Sequence, residues 1–273
     1  MLMSSFFTCP VCGKPLSGTS TLTCSQGHSF DRTKHGYINL LLSNSSSKKR
    51  HGDDQLMVLS RTQFLEKGYY APVREAVLQA ILPHAVAGMR LLDAGCGEGW
   101  YTAYIASCLQ TFQPLVAGVD ISRDALRQAH KRQAGMELAV ASTAKLPVAD
   151  ASCQCVLNIF SPEETAEFHR VLAPGGILIR AVPMERHLWG LKSAVYDTPY
   201  LNPPPGVDLP GFTLLGRQDV VYDLSLPCQE DIWNLFTMTP YYYKTGREDQ
   251  EKLRRLDTLE EHVEIAVLSY QKA

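Results

Sequence analysis

Between residues 89 and 183 the chain alternates short apolar runs with amphipathic stretches of helical length, and few folds accommodate that alternation. "MRLLDAG" reads as a strand, followed by a glycine turn and the helix "YTAYIASCLQTF". "PLVAGVDIS" and "RDALRQAHKRQA" repeat the unit, and "MELAVAS" and "CQCVLNIFSP" supply a third and a fourth strand. "ETAEFHRVLAP" is a helix stopped by Pro174-Gly175-Gly176, before a fifth strand, "ILIRAVP". Apolar strands joined through helices pair in parallel, so this order predicts an α/β domain with a doubly wound, mostly parallel sheet. Two helices broken near Gly68 and Pro72 are expected upstream, in "MVLSRTQFLEKGYYAPVREAVLQAILPHA". Two more strands are expected downstream, in "FTLLGRQDVVYDL" and "HVEIAVLSYQKA", after the proline-rich excursion "PYLNPPPGVDLPG".

The glycine turn carries chemistry. "LLDAGCGEGW" places Asp93, Gly95, Gly97 and Gly99 where the backbone must turn sharply and let a ligand approach. A dinucleotide fingerprint would have its third glycine one residue later. The D-x-G-x-G-x-G order instead resembles the S-adenosylmethionine loop of class I (Rossmann-like) methyltransferases. Asp120, at the end of the second strand, is placed to accept the two ribose hydroxyls of such a ligand. "ASTAKLP", "NIFSP" and "LAPGG" follow in the positions where this fold lines the adenine, faces the transferable methyl and enters strand five. Gly99 could serve only the packing of the helix on the sheet, and Asp93 could act through a backbone network. Glu167 and Arg170 read as solvated or structural.

A second pattern sits near the N-terminus. Cys9, Cys12, Cys24 and His28 follow the order Cys-x2-Cys, eleven residues, Cys-x3-His, with Gly13 and Gly27 supplying tight turns. Three thiolates and an imidazole complete a zinc tetrahedron and leave no open position, so a bound Zn2+ would be structural. Some forty residues bury little core, and metal binding substitutes for it. The other five cysteines, Cys96, Cys108, Cys153, Cys155 and Cys228, are scattered and read as small buried hydrophobes. Cys153 and Cys155 lie two apart in a strand and share a face, which rules out a local disulfide. His35 and His51 fall outside the ligand spacing and read as surface residues.

Charge is divided unevenly. Residues 1–52 carry six cations against Asp31 alone, a net +5 within a chain whose total is −2. A basic head on an acidic body favours a polyanionic partner at the head. No apolar run approaches the ~20 residues that span a membrane, and the N-terminus lacks the form of a signal peptide, so a cytoplasmic location is expected. Residues 1–42 read as a small zinc-binding domain, 43–56, with "SNSSSKKRHGDD", as a linker, and 57–273 as the methyltransferase domain.

Taken together, the two motifs resemble the bacterial 23S rRNA (guanine-N1-)-methyltransferases that modify hairpin 35. "CPVC…C…GHSFDRTKHGYINLL", "FLEKGYYAP", "LLDAGCGEGWYT", "NIFSP", "LAPGG", "RHLWGLK" and "MTPYYY" carry the likeness over nearly the whole chain. It implies a zinc module that recognises RNA, with Cys9, Cys12, Cys24 and His28 as ligands, and a body that binds S-adenosylmethionine. Gly97 and Glu98 become cofactor contacts, and Tyr70 and His187 flank the cofactor. From residue chemistry alone, Tyr70 is a helix-packing aromatic and His187 a surface residue. "HGDDQLMVLSRTQFL" resembles the branch acting on guanine 745, while the branch acting on guanine 748, linked to macrolide-type resistance, is the alternative. The resemblance also implies a homodimer.

Transfer to a ring nitrogen is an in-line displacement in which positioning carries most of the acceleration, and no catalytic triad is needed or visible. The N1 proton must leave, which invites a base. Asn158 is placed to orient the target, and Glu163 or Glu164 to accept the proton, although acids at a helix start are also a capping pattern. Trp233, Phe236, Tyr241, Tyr242 and Tyr243 could stack a base or simply fill the core. A small-molecule methyltransferase gives no reason for the basic head, and a noncatalytic RNA-binding protein gives none for the intact glycine loop and Asp120.

Overall fold

The computed structural model describes residues 4–42, 52–132 and 134–273. The chain opens with a four-stranded antiparallel ribbon: β1 (Ser4–Thr8), β2 (Pro15–Ser17), β3 (Thr21–Thr23) and β4 (Ser29–Asp31). β5 (Tyr37–Asn39) follows, then α1 (Gln55–Glu66) and α2 (Ala71–Ile81). The alternating unit is β6 (Arg90–Ala94), α3 (Trp100–Cys108), β7 (Leu115–Asp120), α4 (Arg123–Lys131), β8 (Glu137–Val140), β9 (Cys153–Ile159), α5 (Thr165–Val171) and β10 (Leu172–Pro183). The chain closes with α6 (Trp189–Val195), β11 (Phe212–Leu226), α7 (Gln229–Thr237), α8 (Tyr241–Lys244), α9 (Arg247–Arg254) and β12 (Leu259–Lys272).

The large sheet runs β11-β12-β10-β9-β6-β7-β8-β5. From β10 to β5 all neighbours are parallel, whereas β12 is antiparallel to both β10 and β11. This is the doubly wound arrangement anticipated, and β6 lies at the point where the strand order reverses, so a crevice opens beyond the ends of β6, β7 and β9. Side chains alternate across the sheet. Leu91, Cys155, Leu157, Ile177 and Ile179 face a cluster built with α1, α2, α3 and α7, whereas Leu92, Val156 and Leu178 face the opposite cluster with α5.

That opposite face is also where the ribbon sits. Phe6, Phe7, Leu16 and Leu22 are buried in the same cluster as Leu92, Val119, Ala139 and Phe168. Glu137, opening β8, accepts from Ser5 Oγ (2.7 Å) and the Phe6 amide (2.6 Å) and pairs with Arg32 (3.2 Å). Arg90, opening β6, donates to the Phe6 carbonyl at 2.9 Å and lies 3.9 Å from the Phe6 ring centroid. The ribbon is therefore part of the layer that covers the sheet.

Several expectations change on this frame. Tyr37–Asn39, inside the stretch read as zinc domain, pairs with Leu138–Val140 as the outermost strand of the large sheet. Residues 43–51 of the expected linker, including His51, lie outside the described residues. Cys96, Cys153 and Cys155 are buried as expected, but Cys108 is exposed near the end of α3 and Cys228 is half-buried ahead of α7. His35 is half-buried because the loop at Gly36 lies against the His130 ring of α4. Glu167 and Arg170 are structural: Glu167 accepts from the Leu146 amide (2.7 Å) and pairs with Arg170 (2.7 Å). In the aromatic cluster, Phe236 is fully buried, Trp233, Tyr241 and Tyr242 pack against the core, and Tyr243 is exposed.

Candidate functional site

A cavity of about 800 Å³ opens over the ends of β6, β7 and β9, a size suited to a cofactor-sized ligand. Asp93, Gly95, Gly97, Glu98 and Asp120 line it at one end, with Ala141, Ser142 and Thr143 beyond them. Tyr70, Tyr101, Phe160, His187 and Tyr241 line the other. Gly99 is not on its wall.

The three loop glycines separate by what a side chain would meet. At Gly97 (φ +55°) a Cβ would come near only Arg61 Nη1, at 3.7 Å, so this position is left open to the cavity. At Gly95 (φ +91°) it would strike Ser161 Oγ at 2.1 Å, so the absent side chain lets the β9 loop close over β6. Gly99 lies against Ala129 of α4, and a Cβ there would sit 3.0 Å from that residue's own Cβ. Its role is helix packing.

The two aspartates are held differently. Asp120 spends both oxygens on backbone, accepting from the Gly97 amide (2.8 Å) and the Ser122 amide (2.7 Å). Burial raises its pKa, and those two amides oppose the rise. Asp93 is almost wholly buried; Thr102 Oγ1 donates to its Oδ2 at 2.5 Å, and its Oδ1 has no partner among the described residues. Burial pushes its carboxyl up to about 7, Thr102 pulls the other way, and Asp120 adds repulsion. A buried carboxylate oxygen left unpaired is costly unless a ligand supplies the donor.

Glu98 is buried; Arg132 engages its Oε2 and, at 2.8 Å, its backbone carbonyl, which leaves the Glu98 amide facing the loop for a ligand. Burial raises its pKa, and Arg132 opposes that rise. His187 is not on the surface: it lies in the segment between β10 and α6 and is 7% exposed. The Glu264 amide donates to its Nδ1 at 3.3 Å, so the neutral ring carries its proton on Nε2 and donates to Tyr70 Oη, also at 3.3 Å. Burial, then Lys192 and His262, hold its pKa down at about 3, so the ring stays neutral. Tyr70 also packs edge-on against Phe64, joining the helix-packing role to a place on the cavity wall.

The candidate target-handling residues also separate. Asn158 is fully buried and donates from Nδ2 to the carbonyls of Ser161 (3.3 Å) and Pro162 (3.0 Å), which makes it a brace for the loop rather than part of the wall. Glu163 is paired with Arg180 at 2.6 Å and does not line the cavity, whereas Glu164 does.

In the ribbon, the Cys9, Cys12, Cys24 and His28 donor atoms all lie within 4.8 Å of one another. Cys12 Sγ and Cys24 Sγ are 3.7 Å apart, and His28 Nδ1 is 3.6 Å from Cys9 Sγ and 3.4 Å from Cys24 Sγ. A zinc tetrahedron with ordinary bond lengths needs separations of about 3.8 Å between sulfurs and about 3.5 Å between sulfur and nitrogen. The donor set fits the ion. Burial opposes ionisation of Cys24, but the amides of Gln26 and His28 and the His28 ring outweigh it and hold the thiol at about 6.

Two family models match this chain. Residues 7–48 match the family described as "RlmA, N-terminal", and residues 91–176 match "Methyltransferase domain". The chain is 34% identical over 194 residues to the 23S rRNA (guanine(748)-N(1))-methyltransferase of Streptomyces fradiae, across 70% of this chain and 68% of that one. It belongs to the 23S rRNA (guanine-N1-)-methyltransferase family. Bacillus subtilis YxjB, provisionally assigned the same activity, is 29% identical over 276 residues, 97% of this chain and 96% of its own. For this family of methyltransferases the cofactor is S-adenosylmethionine, and the ribbon's ion is a structural Zn2+. Asp93 Oδ1 and the open face of Gly97 fit such a cofactor, which brings hydrogen-bond donors, an ammonium group and hydroxyls, to a wall where Asp93 Oδ1 has no donor among the described residues.

Other wall residues carried no sequence signal of their own. Asp53 and Arg61 pair at 2.5 Å beside the cavity, and Ser122 Oγ donates to the Asp53 carbonyl at 2.6 Å, roofing the Asp120 end. Arg61 also donates to the Met238 carbonyl at 3.0 Å, tying α1 to the end of α7. Only their contacts reveal them. Phe160 had a signal in the large aromatic between a strand end and Ser-Pro, but its exposure is a tertiary fact. No helix among the described residues is long and apolar enough to cross a membrane.

Proposed function

We propose that this protein transfers a methyl group from S-adenosylmethionine to N1 of a guanine in hairpin 35 of 23S rRNA, at guanine 745. Asp93 is the structural observation that carries the reading: a buried carboxylate with one unpaired oxygen on the wall of a cofactor-sized cavity. Family membership supplies the reaction class. The "HGDDQLMVLSRTQFL" stretch favours position 745; position 748, for which the Streptomyces fradiae relative is named, is the second reading.

S-adenosylmethionine supplies a methyl on a sulfonium centre that is already a good leaving group. The protein's part is to hold and to exclude water. Asp93, Gly95, Gly97, Glu98, Gly99 and Asp120 form the cofactor end, with Gly99 contributing through helix packing and Glu98 through its backbone. Tyr70 and the neutral His187 close the other end as a hydrogen-bonded pair. Residues 1–42 serve RNA recognition, 43–56 connect, and 57–273 carry the transfer. The protein acts in the cytoplasm, as a homodimer whose two basic heads embrace one hairpin.

Labelled S-adenosylmethionine, 23S rRNA from a strain lacking this gene, and primer extension test the reading. N1 methylation blocks Watson–Crick pairing, so one strong stop is expected at guanine 745. A stop at 748 selects the second branch, and cofactor binding without any stop refutes an rRNA substrate. Light scattering of the purified protein tests the dimer.

A further inference from the structure

The loop after β9 is built at some cost and left uncovered. Phe160 has φ +51°, in the region that favours glycine, yet this large aromatic residue is 42% exposed. Of the four non-glycine residues with positive φ among the described residues, two, Phe160 and Leu188, line this cavity. Such strain persists only where the surroundings enforce it, and it concentrates at functional sites. Here the enforcement is visible. The Phe160 amide donates to the Ala181 carbonyl (3.1 Å), Ser161 Oγ donates to the Ala94 carbonyl (2.8 Å), and Asn158 braces the next two carbonyls. Packing does not explain the exposed aromatic. Its ring stands in an aromatic wall, 6.1 Å from Tyr70, 6.2 Å from Tyr101 and 6.4 Å from His187, parallel to the last within 9°.

Two glutamates follow on the same loop. Glu163 is neutralised by Arg180. Glu164 lines the cavity, and its carboxylate has no hydrogen-bond or ion-pair partner among the described residues. Nor does it cap the short α5, since its side chain accepts no hydrogen bond from that helix.

We propose that this loop is the receptor for the target base, with Phe160 stacking on the guanine and Glu164 accepting its N1 proton. The inference rests on the methyltransferase reading above. A carboxylate accepts from guanine N1–H and N2–H together, whereas adenine presents a lone pair at N1 and is repelled. As the N1–H bond breaks toward Glu164, the nitrogen pair forms the bond to the methyl carbon and the carbon–sulfur pair stays on sulfur. The products are N1-methylguanine, a neutral thioether and a protonated Glu164 that releases its proton to water. Glu164 is thus a catalytic residue and Phe160 a base-binding one.

Two variants in the full-length, zinc-loaded protein test this. Glu164→Gln should lower kcat on the hairpin by about 10²-fold or more, with cofactor and RNA affinities within about threefold of wild type, while Glu163→Gln keeps most of its kcat. For Phe160→Leu the readout is binding: removing the target base to leave an abasic hairpin should weaken wild-type binding about tenfold and leave the variant's affinity nearly unchanged. Wild-type activity with an equally active Glu164→Gln overturns the proton-acceptor assignment. An abasic penalty of the same size in Phe160→Leu overturns the stacking. A wild type that binds cofactor but methylates no hairpin guanine overturns the function reading and this inference with it.

Discussion

The cysteine ribbon and the glycine loop are both ligand sites made from a few residues on tight turns, and they are finished in opposite ways. In the ribbon, four donor atoms converge within 4.8 Å of one another, and three of their pairs lie at 3.4–3.7 Å, close to the edges of a zinc tetrahedron. At the glycine loop the donors diverge: Asp120 is tied to two amides, while Asp93 keeps one oxygen without a partner and burial lifts its pKa to about 7. A closed site can only hold structure together, whereas an open one is poised to bind. The ribbon's Phe6, Phe7, Leu16 and Leu22 share a core cluster with β6, β7 and β8, so the closed site stabilises the sheet that carries the open one.

The largest test of that contrast is loss of the metal. Cys24→Ser, or chelation, should remove a contribution of several kcal/mol or more and lower the thermal midpoint of the whole protein by roughly 10 °C or more. Cofactor binding should fall with it, because one face of the sheet loses its cover. Retained cofactor affinity and an unchanged midpoint would show two independent units. Next comes Asp93→Asn, which should weaken cofactor binding by about 10²-fold, as expected for a lost buried charge-assisted hydrogen bond. Its pH behaviour is specific. The folded-state pKa lies above the unfolded value, so the native state holds the extra proton and stability falls as pH rises from about 4 to about 7. Asp93→Asn should flatten that fall in urea titrations of the free protein, and an unaltered slope would place the shift elsewhere.

Smaller effects sharpen the picture. Gly97→Ala should cost about 1–2 kcal/mol of backbone strain and weaken the cofactor about tenfold, read by calorimetry. Gly99→Ala should destabilise by a comparable amount while changing intrinsic cofactor affinity little, since its methyl meets Ala129 and not the cavity. Smallest of all, Glu137→Gln removes half of a charged junction to Ser5, the Phe6 amide and Arg32. About 0.5–1 kcal/mol of stability should be lost with zinc content unchanged; zinc loss would mean that the ribbon depends on its dock as much as the dock on the ribbon.

Legibility followed locality. The strand–glycine–helix unit, Asp93 and Asp120 at strand ends, and the Cys-x2-Cys and Cys-x3-His turns are patterns over a few residues, and the structure builds them where the spacing implies. Tyr37–Asn39 was not legible as a sheet strand, because its partner, Leu138–Val140, lies 101 positions away. The same holds for His187. Its burial comes from the Glu264 amide of β12 and from Tyr70 ahead of α2, neither of which is near it in sequence. Nor did adjacency distinguish Glu163 from Glu164: the first meets Arg180 on β10, and the carboxylate of the second has no partner among the described residues.

The sequence by itself determined the chemistry on offer: a metal-binding quartet, an S-adenosylmethionine-type glycine loop and two acids at the right strand ends, since each depends on residue type and short spacing alone. The tertiary structure decided which of those groups are spent and which remain available. Packing from distant segments pairs Glu98 with Arg132, neutralises Glu163, buries His187 as a neutral ring, and leaves Asp93 Oδ1, the face of Gly97, Phe160 and Glu164 on one cavity. Whether a polar group is satisfied depends on what the rest of the chain brings to it, and no local pattern encodes that.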